Sequence, residues 1–346
     1  MILPGVHLRR REENLDEIAA VVDRLGRPVG LQGVLEDLNR QATKTKASGR
    51  APSYAFGWEA DDNLDQRWWP QGITTSADAN DTGAVHDRRL LITSWYSKGA
   101  EPGVPGPNEG SRITIVDLET LKYRHVLLVT ATTDMFGRPA VAPLRVHAGG
   151  IVWFGDYLYV AGTKRGLFTA HLHDLMHIES DSDTFGYRYV LPVRYVYDAF
   201  ADDGHELLRY SFLSVDRSTS PPELVAGEYG VLEMSTRLAR FELADDGLLR
   251  ADEDGCARPV FIDDGGVGHM QGACVVGGRY YVTSSRGRWR LGNMYSGTPG
   301  KLRRFRFALP PGPEDISYWP ETDQLWSLTE YPSRRVVFAM NRKQFG

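Results

Sequence analysis

Glutamine, histidine and carboxylate residues recur in this chain at the start of short apolar runs. Gln71 stands before "GITTSAD", His147 before "AGGIVWF", His269 and Gln271 around the opening of "GACVV", and Glu314 with Asp315 before "ISYW". A second polar and aromatic set closes the run that follows each of these: Trp95, Tyr96 and Lys98; Lys164 and Arg165; Glu228 and Tyr229; Arg286; Glu330 and Tyr331. Histidine exchanges a proton near neutral pH, which makes His147 and His269 the sharpest candidates for a general acid or base. Glu314 and Asp315 are adjacent, so their side chains point to opposite faces of a strand and only one enters a shared site. Alignment with Gln71 and Gln271 favours Glu314. A carboxylate beside two imidazoles would raise a histidine's basicity, or the three together would bind a divalent metal. No compact spacing motif supports the metal, so no metal ligand and no cofactor is assigned.

Each of these residues also has a structural reading. The histidines would tie one strand unit to its neighbour through ring hydrogen bonds, and the tyrosines of the repeated Glu-Tyr pairs would pack between units. "DANDTG", Asp78 to Gly83, looks like the start of a calcium loop but lacks the downstream glutamate, and a polar turn explains it better. "HLHDLMH" is read as surface histidines, because alternation on an outer strand accounts for His171 and His173. There is no G-x-S-x-G, P-loop, H-E-x-x-H or paired C-x-x-C, which lowers serine-triad hydrolysis, nucleotide-driven chemistry and structural zinc.

The elements that must position these residues are mostly strands. Gly 36, Pro 19, Tyr 16 and Trp 8 favour many short strands and turns over long helices. Only residues 12–46 read as helical: Leu15, Ile18, Ala19, Val22 and Leu25 follow helical spacing, with Asn14 as N-cap and Gly26 as stop. A second short helix is expected from Leu31 to about Asn39. "KTKASGRAPS" then reads as a linker, which divides the chain into an N-terminal helical extension, 1–50, and a β domain, 51–346.

Five strand openings align: "WPQGITTSAD", "HAGGIVWFGDYLYVA", "RYSFLSVDRS", "HMQGACVVGGRYYVT" and "PEDISYWPETDQLWSLT", the third being the poorest match. Each leads through a turn into a second strand and then a third, such as "RITIVDLE", "GLFTAHLHDL", "TRLARFELA", "GKLRRFRFA" and "RRVVFAMN". The repetition predicts an all-β, five-bladed β-propeller, closed by "PSYAFGWEA" near Tyr54. Six blades is the alternative if residues 97–111 or 179–210 hide strands. In that fold the inner-strand openings and second-strand ends surround one central funnel. "KGAEPGVPGPNEGS" and "RGRWRLGNMYSGTPG" would hang over it.

"DNLDQRWWPQGITTSADA", "VHAGGIVWFGDYLYVA" and "GPEDISYWPETDQLWSLTE" carry a resemblance. In general form they resemble the propeller superfamily of gluconolactonase-like, strictosidine-synthase-like and NHL-repeat proteins. More narrowly, they are similar to a family of uncharacterised, mostly exported actinobacterial proteins, over most of residues 54–340. That resemblance implies a propeller and brings no activity and no catalytic residue.

Bulk properties narrow the function. A net charge of -5 argues against a general nucleic-acid or anionic-membrane binder, and Arg9 to Arg11 and Arg303-Arg304 read as solvated faces. The two cysteines, Cys256 and Cys274, read as free thiols. The amino terminus lacks an apolar run after its basic residues, so a soluble, cytoplasmic protein is expected. The favoured function is an enzyme that holds a small organic molecule in the funnel. His147, His269 and Glu314 or Glu228 would supply acid and base, and Gln71, Gln271, Trp95, Tyr96, Tyr229, Arg286, Glu330 and Tyr331 would bind the substrate. Cyclisation, isomerisation or elimination in specialised metabolism suits that set. The alternatives are a non-catalytic propeller binding a ligand or protein partner, and a metal-dependent ester, lactone or phosphate hydrolase. The oligomeric state is left open.

Overall fold

The computed structural model describes residues 5–179 and 184–346. The chain is all-β and of the propeller type, built from antiparallel four-strand meanders. The first comprises Trp68–Thr75, Leu90–Ser97, Ser111–Asp117 and Lys122–Thr133. The second comprises Ile151–Phe154, Tyr157–Ala161, Leu167–His171 and Tyr189–Ala201. The third runs through Phe212–Asp216, Glu223–Gly227, Arg237–Glu242 and Phe261–Asp264. The fourth runs through Met270–Val276, Arg279–Ser284, Gly292–Thr298 and Lys301–Leu309. The fifth takes Pro313–Trp319, Gln324–Thr329 and Val336–Asn341 from the C-terminal end and Pro52–Gly57 from the N-terminal side, with Val336 opposite Gly57 and Val337 opposite Phe56. That pairing closes the ring with hydrogen bonds between distant parts of the chain.

The first strands of the meanders neighbour one another in a closed circle around the axis. Glycine permits this approach. A Cβ on Gly72 would lie 2.8 Å from the Ile151 nitrogen, one on Gly150 2.1 Å from the Leu213 nitrogen, and one on Gly272 2.7 Å from Cα of Asp315. The recurring Q-G and G-G at the strand openings therefore mark where one inner strand lies against the next backbone. Apolar layers fill the wedges between sheets. Ile113, Leu128 and Trp153 join the first meander to the second, Tyr159 and Leu213 the second to the third, and Phe212 and Met270 the third to the fourth. Cys274 and Ile316 join the fourth to the fifth, and Trp95 and Trp326 share the layer that joins the fifth to the first. Strands covered on both faces read as continuous apolar runs, as "LLITSWYS" does.

Three expectations change. The strand in residues 179–210 is Tyr189–Ala201, the outer strand of the second meander, while residues 98–110 hold none; residues 180–183 lie outside the described part. Half of "RGRWRLGNMYSGTPG" is the strand Gly292–Thr298, which makes "GKLRRFRFA" a fourth strand and not a third. The segment before residue 50 holds helices at Leu15–Leu25 and Gly30–Leu35, yet it also adds strands. Val6–Arg10 pairs with Tyr189–Ala201, Gly26–Pro28 with Met176–Ile178, and Arg40–Gln41 with Lys122–Thr133. It is a belt over the outer edges of the sheets, which would otherwise present unpaired backbone. The first helix buries Ile18 and Val21 with Val22 and Leu25 beside them, while Leu15 and Ala19 face outward. Both cysteines are free and buried. Among the described residues no helix is long and apolar enough to cross a membrane.

Candidate funnel site

Inner strands begin, and second strands end, at the same end of the axis. A cavity of about 480 Å³ opens there, lined by Gln71, His147, Thr163, Arg209, Ser211, Tyr229, Met234, Gln271, Glu314 and Glu330. Every meander contributes: Gln71, Ser211, Gln271 and Glu314 lie at inner-strand starts, and Thr163, Tyr229 and Glu330 follow second-strand ends.

Glu314 is buried and accepts a hydrogen bond from Nε2 of Gln271 at 3.1 Å. Burial pushes its pKa well above the carboxylate range; the nearby Glu330 and Asp315 push it further, and Lys98 opposes them only in part. Glu330 is raised too, again chiefly by burial, but Tyr331, Lys98, the Gln71 amide and Arg335 all favour its charged form. Nε2 of Gln71 lies 3.4 Å from Oε2 of Glu330. Two acids thus share one cavity, both raised by burial, with groups that favour the charged form more numerous around Glu330 than around Glu314.

His147 is open to the funnel and crowded by its walls. Its ring packs 4.3 Å from that of Tyr96, and desolvation, with the charge of Lys98 second, lowers its pKa to about 4. It is a neutral imidazole at neutral pH and makes no side-chain hydrogen bond among the described residues. Tyr96 is held in its phenol form, first by burial and then by Glu330. Lys98 places its ammonium 3.6 Å from the centroid of Trp69, beside the two acids.

Other candidates lie elsewhere. Glu228 is not a funnel acid: it is buried, receives Arg237 at 2.8 Å and accepts the Arg209 backbone N–H at 3.0 Å. Burial alone would raise its pKa, but the hydrogen bonds, led by that from Arg237, outweigh burial and lower it. Trp95 is a core residue, packed edge-on against Trp58 and donating to Thr93. Arg286 is exposed over Phe307 and does not line the cavity. His269 sits at the rim, with Nδ1 3.0 Å from the Tyr229 hydroxyl. Tyr331 backs Glu330 and meets Trp69 edge-on. Asp315 turns below the funnel floor, 3.4 Å from the Ile73 N–H, and burial raises its pKa strongly. Lys164 and Arg165 are exposed outside the cavity.

Thr163, Arg209, Ser211 and Met234 complete the lining. Arg209 and Ser211 are carried by the third opening, the least regular of the five, while Met234 comes from a loop with no repeat to mark it.

Polar clusters away from the funnel bond internally. A cavity of about 560 Å³ at the opposite end of the axis includes Asp78, Asp216 and Arg217. Asp78 accepts from Thr74 at 2.7 Å, Thr75 at 3.0 Å and Ser317 at 2.7 Å, capping the short helix Ser76–Ala79, so "DANDTG" is a capped turn. Asp62 takes His125 at 2.9 Å, Tyr123 at 2.6 Å, Arg112 at 3.3 Å and Arg40 at 3.1 Å. Burial favours its neutral form, but these donors outweigh it and hold Asp62 ionised. Among the described residues one trio of His, Cys, Asp or Glu has metal-holding geometry: Asp156, His171 and His173, with ligand atoms within 4.8 Å. It lies at the hairpin end of the second meander, opposite the funnel.

No protein-family model and no curated protein matches the chain. Among solved structures it is similar to a gluconolactonase from Xanthomonas campestris, at 13% identity over 99% of this chain and 88% of that one, with a TM-score of 0.36. It is also similar to the glutaminyl cyclase of Myxococcus xanthus, at 11% over 87% and 97% with a TM-score of 0.35. The GH43_1 enzyme of Xanthomonas citri complexed with xylose gives 12% over 88% and 91% with a TM-score of 0.40. Overlaps this loose carry nothing about chemistry or blade count.

Proposed function

We propose that the chain is a propeller enzyme, five-bladed when each meander counts as one blade, that binds a small organic molecule in the funnel and moves protons on it. The carrying observation is Glu314: a buried carboxyl lining a cavity, bonded by an amide, facing a second acid and paired with no cation among the described residues. Burial without a cation favours the protonated form of such a group, and that form donates to a leaving or enolising oxygen. His147, neutral and unbonded, accepts a proton from the substrate. Glu330 is the second base, and Lys98 offsets charge that develops between the acids. Gln71 and Gln271 orient the carboxyls, while Tyr96, Tyr229 and Met234 supply apolar wall. Isomerisation, elimination or cyclisation needs only this paired proton donor and acceptor. A purely structural hub would bond both histidine rings to neighbouring units; among the described residues His269 does so through the Tyr229 hydroxyl, while the His147 ring has no side-chain hydrogen bond.

The test is a metabolite library screened for turnover and thermal stabilisation against wild type, Glu314→Gln and His147→Ala. Turnover of a ligand that stabilises wild type, lost in both variants, supports the reading. Ligands that bind all three proteins equally and emerge unchanged would sink it.

A further inference from the structure

From Gly265 to Pro313 the chain contains no Asp or Glu but eight Lys and Arg, although the whole protein carries a net charge of -5. The loop Ser285–Leu291 concentrates three of them, Arg286, Arg288 and Arg290, and Arg334 joins them across the fifth meander. Residues 286–290 and 334 are exposed, and among the described residues none of these four arginines shares an ion pair. Unpaired clustered guanidinium groups repel one another, so a surface that keeps them together needs something to hold them.

The aromatics do this. Trp289, 73% exposed, has the Arg334 guanidinium 4.3 Å and that of Arg288 5.5 Å from its centroid. Phe307 is faced by Arg286 at 5.6 Å and Arg50 at 5.8 Å. Arg334 also donates to the Arg288 carbonyl at 3.2 Å. The rings hold the cations in place before any ligand arrives.

The collar borders the funnel by two links. Arg288 lies 5.9 Å from the centroid of Tyr331, which backs the cavity acid Glu330. The Ser285 N–H donates to the carbonyl of His269, whose ring meets Tyr229 of the cavity wall.

We propose that the funnel's substrate carries a phosphate ester or diphosphate, and that Arg286, Arg288 and Arg334 bind that anionic group at the mouth while the reacting part lies between His147 and Glu314. This rests on the funnel being the reaction site. Arginine suits the role because its planar fork meets phosphate oxygens in pairs. A small phosphorylated molecule fits better than a nucleic acid or lipid surface. The patch borders a cavity of about 480 Å³, the size of a small molecule, the remainder of the protein is acidic, and the aromatic faces that would stack on bases are already occupied by guanidinium groups.

The test titrates inorganic pyrophosphate into the full chain at about 0.15 M salt, where long-range attraction is screened, and reads tryptophan fluorescence with Trp289→Phe as control. Wild type should show a saturable change that Trp289→Phe removes, and Arg286→Glu with Arg288→Glu should weaken binding at least ~tenfold, an estimate that follows from losing charge-assisted bonds. Glu314→Gln should bind pyrophosphate normally, so loss of turnover in that variant reports on the funnel alone. No saturable change, or equal binding by the charge-reversed protein, would overturn the proposal. Tighter binding of a single-stranded oligonucleotide or of phosphatidylserine vesicles than of pyrophosphate would overturn it in favour of a macromolecular phosphate.

Discussion

Gln271 donates from Nε2 to Oε1 of Glu314 at 3.1 Å, so the most buried acid of the funnel is held by the amide of a neighbouring meander and by no cation among the described residues. An amide N–H satisfies a neutral carboxyl as well as a charged one and leaves the cost of burying a charge uncompensated. Glu228 shows the contrast: equally buried, it meets Arg237 and stays ionised. Two equally buried glutamates, one at an inner-strand start and the other after a second-strand end, thus differ through their partners.

Glu314→Gln should abolish catalysis without unfolding the protein. Loss of a positioned general acid costs ~10²–10⁴-fold in rate. The folded protein binds a proton at Glu314 that the unfolded chain has released, so wild-type stability falls as pH rises above the unfolded carboxylate value of about 4.3. The glutamine variant lacks that penalty. Denaturant unfolding at pH 5 and pH 8 should show the variant gaining on wild type at the higher pH; a variant that loses ground there contradicts a raised Glu314.

The pH profile of turnover follows from the same groups. His147, with its pKa lowered to about 4, is a competent base above that pH, and the donor is lost only when Glu314 ionises. Activity should rise through about pH 4, hold through neutrality and fall on the alkaline side. His147→Ala with retained turnover and an unchanged acid limb would remove the histidine from the mechanism.

Gly150→Ala tests the ring. The added methyl would sit 2.1 Å from the Leu213 nitrogen, which is backbone and cannot swing aside. Overpacking of this kind costs about 1–3 kcal/mol. Urea unfolding should show a loss of that size, and an alanine variant as stable as wild type would mean that the inner strands do not meet there.

Asp62 anchors the belt and first meander through His125, Tyr123, Arg112 and Arg40. Removing one member of a buried charged cluster costs about 3–5 kcal/mol, so Asp62→Ala should unfold at much lower denaturant. The wild-type carboxyl has a depressed pKa, so its contribution is complete above the unfolded value of about 3.9 and disappears as pH falls further. Stability loss below pH 4 should be shallower in Asp62→Asn, and an identical acid dependence would contradict the assignment.

The strand-and-turn repeat was legible because its openings share a cause: polar residue, then an apolar run, with glycine between them in three of the five, each set by the axis of a ring. Gln71, His147, Gln271 and Glu314 follow from that alignment. Glu228 and Trp95 did not, because register places a residue on an end of a strand but does not say which neighbour takes its side chain. Glu228 looks like Glu330 in its dipeptide, yet Arg237 faces it from the adjoining strand, and no local pattern reveals that contact. Gly292–Thr298 was hidden for a different reason: Gly, Asn and Ser read as loop, while the pairing that makes it a strand comes from its neighbours.

The most direct test is infrared difference spectroscopy of wild type against Glu314→Gln at pH 7, which reads the carbonyl stretch of a protonated carboxyl. A protonated-carboxyl band present in wild type and absent from the variant is the result this account predicts. Only an ionised-carboxylate difference would show Glu314 charged at neutral pH and would remove the proton donor on which the proposed chemistry depends.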